Sequence, residues 1–438
     1  MYRYKKIENL SDPQIKSLVL QYSKKCEKSC ILDSNVKGES NHNLVDGGYD
    51  YLAGLGAVEF LQADVACFES LDVFEKNHQS EWKFLSLSYD LKNEVEALES
   101  INPDLILFPN LSIFIPEIIV SINGDVIRIG VHNSVEMDID NWIQNHTISS
   151  ELVNVATPLK EIKAHTPKER YIKQFNRLLD HIQFGDIYEI NYCQTFSSSN
   201  VEEGPQELFE RLNAIGKAPF SALYTWNGLA VISASPERYL AKRGSTLFSQ
   251  PIKGTIKRGA TKKEDEELSE NLYQNEKERS ENVMIVDLVR NDLSKVAQMN
   301  SVKVDELFGI YSFEQVFQMI STVSCKVKEG ISFVDILKAT YPMGSMTGAP
   351  KVRAMQLIEM FEDTKRGIYS GAVGYISPEG DFDLNVVIRS LMYNGTNKAL
   401  SFSVGSAITI NANAEDEYNE CLLKASGILK ALGLHGVD

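Results

Sequence analysis

The chain has 438 residues, 43% of them hydrophobic and 24% charged, with a formal net charge of −16. That length suits two or three ordinary domains or one large composite, and the acidic balance opposes nucleic-acid binding, which needs a basic face. Six cysteines, at 26, 30, 67, 193, 325 and 421, form no CxxC pair and no disulfide framework, so they read as reduced cytosolic thiols. The opening Met1 to Lys6 leads into no apolar secretory segment.

Residues 1–155 form an N-terminal region of short strand-like runs, Phe84 to Tyr89 and Val126 to Ile129, between polar loops. The most lipid-like stretch, 105–120, is interrupted by Pro109, Asn110, Pro116 and Glu117, which predicts buried strands and no membrane span. Residues 141–167 read as a linker. At Thr166-Pro167-Lys168-Glu169 a helix opens, with Thr166 as cap and Glu169 at capping-box spacing; Tyr171, Phe175, Leu178, Leu179 and Ile182 follow at helical spacing. Strands are predicted at 187–196, 221–225, 229–233, 238–241, 370–376, 384–391 and 399–405. Helices are predicted at about 264–290, 331–339, 350–362 and 414–432. The irregular alternation excludes the steady rhythm of a barrel or a doubly wound sheet and points to an α+β region over 160–435.

Chemistry concentrates in that second region. Lys253, in Pro251-Ile252-Lys253-Gly254-Thr255, sits between an apolar residue and a Gly-Thr turn, where partial desolvation would ease formation of a neutral, nucleophilic amine. The commoner fate of such a lysine is to point into water. Glu278 and Glu281 are three apart in a helical run, as are Glu417 and Glu420, with Lys424 four beyond. Brought together, the two pairs would need a cation, and Mg²⁺ commonly takes one or two carboxylates; taken singly, each pair reads as a solvated helix face. Gly344 to Lys351 mimics a phosphate loop but fails, because Pro350 separates the glycines from the lysine and no Ser/Thr follows Lys351.

The order of Ser235-Pro236-Glu237-Arg238, the PIKGT segment, the acidic run Glu278 to Asp292 and Gly348 to Met355 resembles the chorismate-utilising enzymes over about residues 165–435. The resemblance implies an α/β sandwich of two intertwined subdomains, with orthogonally packed antiparallel sheets inside and helices outside. It implies chorismate as substrate and Mg²⁺ on Glu281 and Glu420, with Glu278 and Glu417 holding metal-bound water. Arg389, taken as a strand residue, would grip a carboxylate, and Gly254, Thr255, Tyr369, Gly405 and Lys424 would line the pocket. Lys253 would be the covalent nucleophile and Glu237 the general acid and base; otherwise Glu237 is a turn carboxylate paired with Arg238.

Members of that family that form anthranilate usually carry alanine at Lys253 and histidine at Asn282. This chain's residues therefore imply amination at ring carbon 4, giving 4-amino-4-deoxychorismate for 4-aminobenzoate and folate biosynthesis, with anthranilate formation as the alternative. Glu189 stands where the water-adding members keep a lysine base, and where amine-adding members commonly have glutamine. A non-catalytic regulatory subunit is disfavoured, because Lys253, Glu281 and Glu420 are all present. No cysteine sits in a Gly-x-Cys-x-Gly elbow, so ammonia is expected from a separate glutamine amidotransferase subunit in the cytoplasm. Cys30 to Ser34 resembles the family's tryptophan-binding motif, with Asp33 where glutamate is usual.

Overall fold

The structure, a computed structural model, describes residues 1–35, 48–146, 159, 161–314, 316–434 and 436. Of the stretch read as a linker, residues 147–158 and 160 lie outside the described residues.

Strand Leu229–Ser235 shows how the layers arise. Alternation along it sends Val231 into one apolar cluster and Ala230, Ile232 and Ala234 into another. A strand buried on both faces must read as a continuous apolar run, as this one does. The first cluster fills the space between two antiparallel sheets, joining Leu52, Tyr224 and Met392 of one to Phe84, Leu240 and Leu384 of the other. The second lies between the outer face of the first sheet and helices Lys168–Gln183, Pro205–Gly216 and Ala414–Ala431, which contribute Phe175, Leu208 and Ile428. Each fully buried side chain of this size contributes about 1.5–3 kcal/mol.

Among the described residues the first sheet has twelve strands and the second ten. The N-terminal region extends both. Tyr2–Ile7, Lys28–Asp33, Tyr51–Leu55, Ile118–Asn123 and Val126–His132 continue the first sheet, while Glu59–Ala63, Lys83–Leu87 and Leu111–Ile115 continue the second. The 105–120 stretch thus supplies interior strands, one to each sheet, and no helix among the described residues is long and apolar enough to cross a membrane. All six cysteines are free.

Three local expectations are corrected. Thr166 does not cap its helix; its hydroxyl donates to Asp363 Oδ2 at 2.8 Å, and Pro167 occupies the cap position. The 264–290 helix is two, Lys262–Gln274 and Glu276–Val296, because Asn275 leaves helical geometry and its side chain accepts from the Glu278 N–H at 3.1 Å. The 384–391 strand is also two, Phe382–Asn385 in the second sheet and Ser390–Asn394 in the first. Arg389, at φ 53°, lies in the break and not in a strand.

That break positions the site. The chain changes sheets twice here: at Pro236-Glu237, between Leu229–Ser235 and Arg238–Arg243, and again at 386–389. The crossovers are bonded to each other, Val386 N–H to Glu237 O at 3.0 Å and Ala234 N–H to Arg389 O at 3.2 Å. Glu237 and Arg389 therefore emerge where the two sheets part.

Candidate active site

Lys253 lies on the short strand Ile252–Lys257. Its register on Val316–Lys326 slips between the pairs Ile252–Ile320 and Thr255–Gln318, so Lys253-Gly254 forms a bulge. Gly254 takes φ +92°, and a Cβ there would come within 3.1 Å of Leu272 and 3.2 Å of a Glu278 carboxylate oxygen. The positive φ strains any side chain at this position, and the close neighbours add to the cost.

The bulge turns Lys253 inward, where its Nζ donates to Glu189 Oε1 at 2.8 Å and stands 3.7 Å from Glu281 Oε2. Burial opposes the lysine's charge, but Glu189, Glu281 and Glu237 outweigh it and hold the ammonium more firmly protonated than an ordinary lysine. The partial desolvation expected from the sequence is present, but the surrounding carboxylates dominate it and favour the charged form. Glu189 starts strand Glu189–Ser198, is 2% exposed, and its Oε2 is buried without a hydrogen bond.

Glu237 is buried, and that burial lifts its pKa from 4.5 to about 7 against the pull of Ser345 and Lys253. Arg238 turns away to Asp383, with Nε to Oδ1 at 2.8 Å and Nη2 to Oδ2 at 2.9 Å. Glu237 is thus a carboxyl that exchanges its proton near neutral pH beside Lys253.

The helix Glu276–Val296 presents Glu278 and Glu281 on one face, and Ala414–Ala431 presents Glu417 and Glu420. Burial raises the Glu281 pKa to about 7, with Lys253 pulling down and Glu189 and Glu278 pushing up. Glu278 and Glu417 are also raised, by burial first and then by Glu420. Burial opposes the Glu420 charge too, but Lys424 prevails and holds it below the usual range, with Nζ 2.6 Å from Oε1. The four carboxylates therefore share one electrostatic neighbourhood. Among the described residues no three such donors stand as a ready-made metal ligand set. Glu281 Oε1 is nonetheless buried without a hydrogen bond, and an acidic, partly dehydrated cluster of this kind fits a hard cation such as Mg²⁺.

Lys424 also donates to Gly405 O at 2.9 Å, tying the C-terminal helix to strand Ala399–Ile408. A Cβ at Gly405 would strike Cys193 Sγ at 2.5 Å and Asn191 Oδ1 at 2.6 Å. The buried Cys193 thiol in turn donates to Tyr369 Oη at 3.8 Å. The Arg389 guanidinium is partly buried; desolvation lowers its pKa against the pull of Tyr369 and Glu420. Lys253, Glu237, the four glutamates, Lys424 and Arg389 are thus linked by contact or field, while Thr255 continues the lysine strand opposite Gln318.

Sequence reasoning missed three contributors. Lys277 lies between the two glutamate pairs, 3.2 Å from Glu417 Oε1; its four-residue spacing to Glu281 was the available signal. Ser321 donates to Asn282 Oδ1 at 2.6 Å and fixes that amide. Lys351 binds Asp292 Oδ2 at 2.5 Å and two backbone carbonyls, anchoring its helix. Asp33 belongs elsewhere. It accepts from Lys16 at 2.8 and 2.9 Å and lines a separate cavity with Phe220, Arg238 and Tyr375.

The family model described as chorismate binding enzyme matches residues 28–430. The chain belongs to the chorismate binding enzyme family. A relative, aminodeoxychorismate synthase component 1 of Escherichia coli (strain K12), is 34% identical over 346 residues, covering 78% of this chain and 75% of the relative. Anthranilate synthase component 1 of Aquifex aeolicus (strain VF5) is 32% identical over 362 residues, covering 79% and 73%. Among solved structures, anthranilate synthase component I from Streptococcus pneumoniae TIGR4 superposes with a TM-score of 0.75 at 24% identity, over 86% of this chain and 91% of that one. This likeness confirms the α+β chorismate-enzyme fold.

Proposed function

We propose that the chain aminates chorismate at ring carbon 4, forming 4-amino-4-deoxychorismate on the route to 4-aminobenzoate and folate. The observation that carries this reading is Lys253, turned inward by the Gly254 bulge, 2.8 Å from Glu189, 3.7 Å from Glu281 and within the field of Glu237.

Arg389 and Lys424 offer positive charge to the substrate's two carboxylates, and Tyr369 and Gly405 shape the wall beside them. Before attacking, Lys253 gives up a proton, and Glu189 Oε1 is the nearest acceptor at 2.8 Å. The Lys253 nitrogen bonds to ring carbon 2, the ring double bonds shift, and the bond from carbon 4 to its hydroxyl breaks. Glu237, with a pKa of about 7, donates the proton that lets this hydroxyl leave as water. Ammonia then bonds to carbon 4 and the bond to Lys253 breaks; Glu189 returns its proton to the released lysine amine, and the Glu237 carboxylate recovers a proton from the added nitrogen. The sum is chorismate plus ammonia giving aminodeoxychorismate plus water.

Glu281 and Glu420 would hold Mg²⁺, with Glu278 and Glu417 reaching it through water; when bound, the ion neutralises negative charge between these carboxylates and the substrate. Ammonia comes from a glutamine amidotransferase subunit, because the chain's cysteines lie in no nucleophile elbow. The region 160–435 carries the chemistry, region 1–155 completes the fold, and the enzyme works in the cytoplasm.

The test is mass analysis of the product made from chorismate, Mg²⁺ and an ammonium salt. The 4-amino product supports this reading; the 2-amino product leading to anthranilate would replace it with the alternative.

A further inference from the structure

The two glutamate pairs face each other from separate helices, and a lysine from one helix stands between them. Lys277 Nζ is 3.2 Å from Glu417 Oε1 and 4.0 Å from Glu281 Oε1, and Glu420 also bears on it. Glu417 is 3% exposed and Glu281 7%, whereas the Lys277 side chain is 51% exposed. Glu281 Oε1 makes no hydrogen bond and is closed off from water; Lys277 stands 4.0 Å from it, while Lys253 stands 3.7 Å from the other oxygen, Oε2. The other two lysines are committed: Lys253 to Glu189, and Lys424 to Glu420 and Gly405 O.

We infer that Lys277 is the internal counter-ion of the Mg²⁺ site and is displaced when the metal binds. This rests on the metal reading above. Without metal, four carboxylates on two helices repel each other, and Lys277 bridges the helices at Glu281 and Glu417. An ammonium group held at Glu281 and Glu417 would compete with a divalent ion held by Glu281 and Glu420, because Glu281 belongs to both sets. Lysine suits the exchange, because its charge is compact, strongly hydrated and carried on a flexible stem that already reaches solvent. Lys277 therefore acts through the glutamates as a positioning residue: it keeps the site assembled and sets how tightly Mg²⁺ is held.

The test measures Mg²⁺ alone, without chorismate, by isothermal titration of the full chain and of Lys277→Met, Lys277→Gln and Lys277→Arg. Removing the competing charge should tighten Mg²⁺ binding about two- to fivefold in the Met and Gln variants, the range set by partly exposed ion pairs. Arg should stay near wild type. The metal-free Tm of the Met and Gln variants should fall, and the rise on adding Mg²⁺ should grow. A lysine with a merely structural role would lower the Tm while leaving the Mg²⁺ Kd unchanged or weaker, and that result would overturn the inference. Two neutral variants keep the test available if one misfolds. Absence of Mg²⁺ binding in all four chains would overturn the metal reading together with the inference, a pattern distinct from an unchanged Kd.

Discussion

Replacing Glu237 by Gln separates what this carboxyl costs the fold from what it gives the reaction. Glu237 is 5% exposed, and burial raises its pKa from 4.5 to about 7. A carboxyl raised in the folded state contributes stability that is full below the unfolded pKa and is lost as pH rises through the folded one. The interval from 4.5 to about 7, at about 1.4 kcal/mol per tenfold change in proton affinity, amounts to about 3 kcal/mol. Glutamine has the same shape and no charge at any pH, so the variant escapes that loss. Glu237→Gln should be more stable than the wild type by about 3 kcal/mol at pH 8, falling below about 1 kcal/mol at pH 5, while amination turnover is lost. Urea denaturation followed by circular dichroism across this range, without chorismate or Mg²⁺, reads the difference directly. Equal stabilities at pH 8, or an equal gain at pH 5 and pH 8, would refute the argument that a dehydrated carboxyl sits at this crossover.

Lys253→Ala should reduce 4-amino product formation at least about 100-fold, since it removes the nucleophile; some 2-amino product from direct ammonia attack is expected, and near-normal 4-amino turnover would eliminate the covalent route. Glu281→Gln should abolish turnover and weaken Mg²⁺ binding with an unchanged far-ultraviolet spectrum; full activity at low Mg²⁺ would remove Glu281 from the metal site. The purified chain should use ammonium salts, better at high pH where neutral ammonia is more abundant, and should ignore glutamine until an amidotransferase subunit is added. Tryptophan should raise the Tm if the Asp33 cavity is its site; no shift and no inhibition at millimolar levels would dismiss that role.

What the sequence revealed and what it hid follow from range. Glu278 and Glu281, or Glu417 and Glu420, share a helix face by local spacing alone, so each pair was legible. That Lys277 joins the pairs depends on two helices 140 residues apart, which no local period encodes. The Lys253–Glu189 contact spans 64 residues and two different sheets, so each residue stood out on its own while the hydrogen bond between them did not. Strand 384–391 looked continuous because Val386, Val387 and Ile388 are good strand formers; the sheet change imposes the left-handed backbone at Arg389 despite them. Similarly, Asn275 divides the acidic helix by a capping bond that competes with good helix formers on both sides.

The central claim is that Lys253 bonds covalently to the substrate ring. Trapping the enzyme with a chorismate analogue, followed by peptide mass analysis, tests it most directly. The adduct should fall on the peptide that contains Lys253, with borohydride making no difference because no imine forms. An adduct on another residue, or turnover to the 4-amino product with no adduct at any time point, would contradict it.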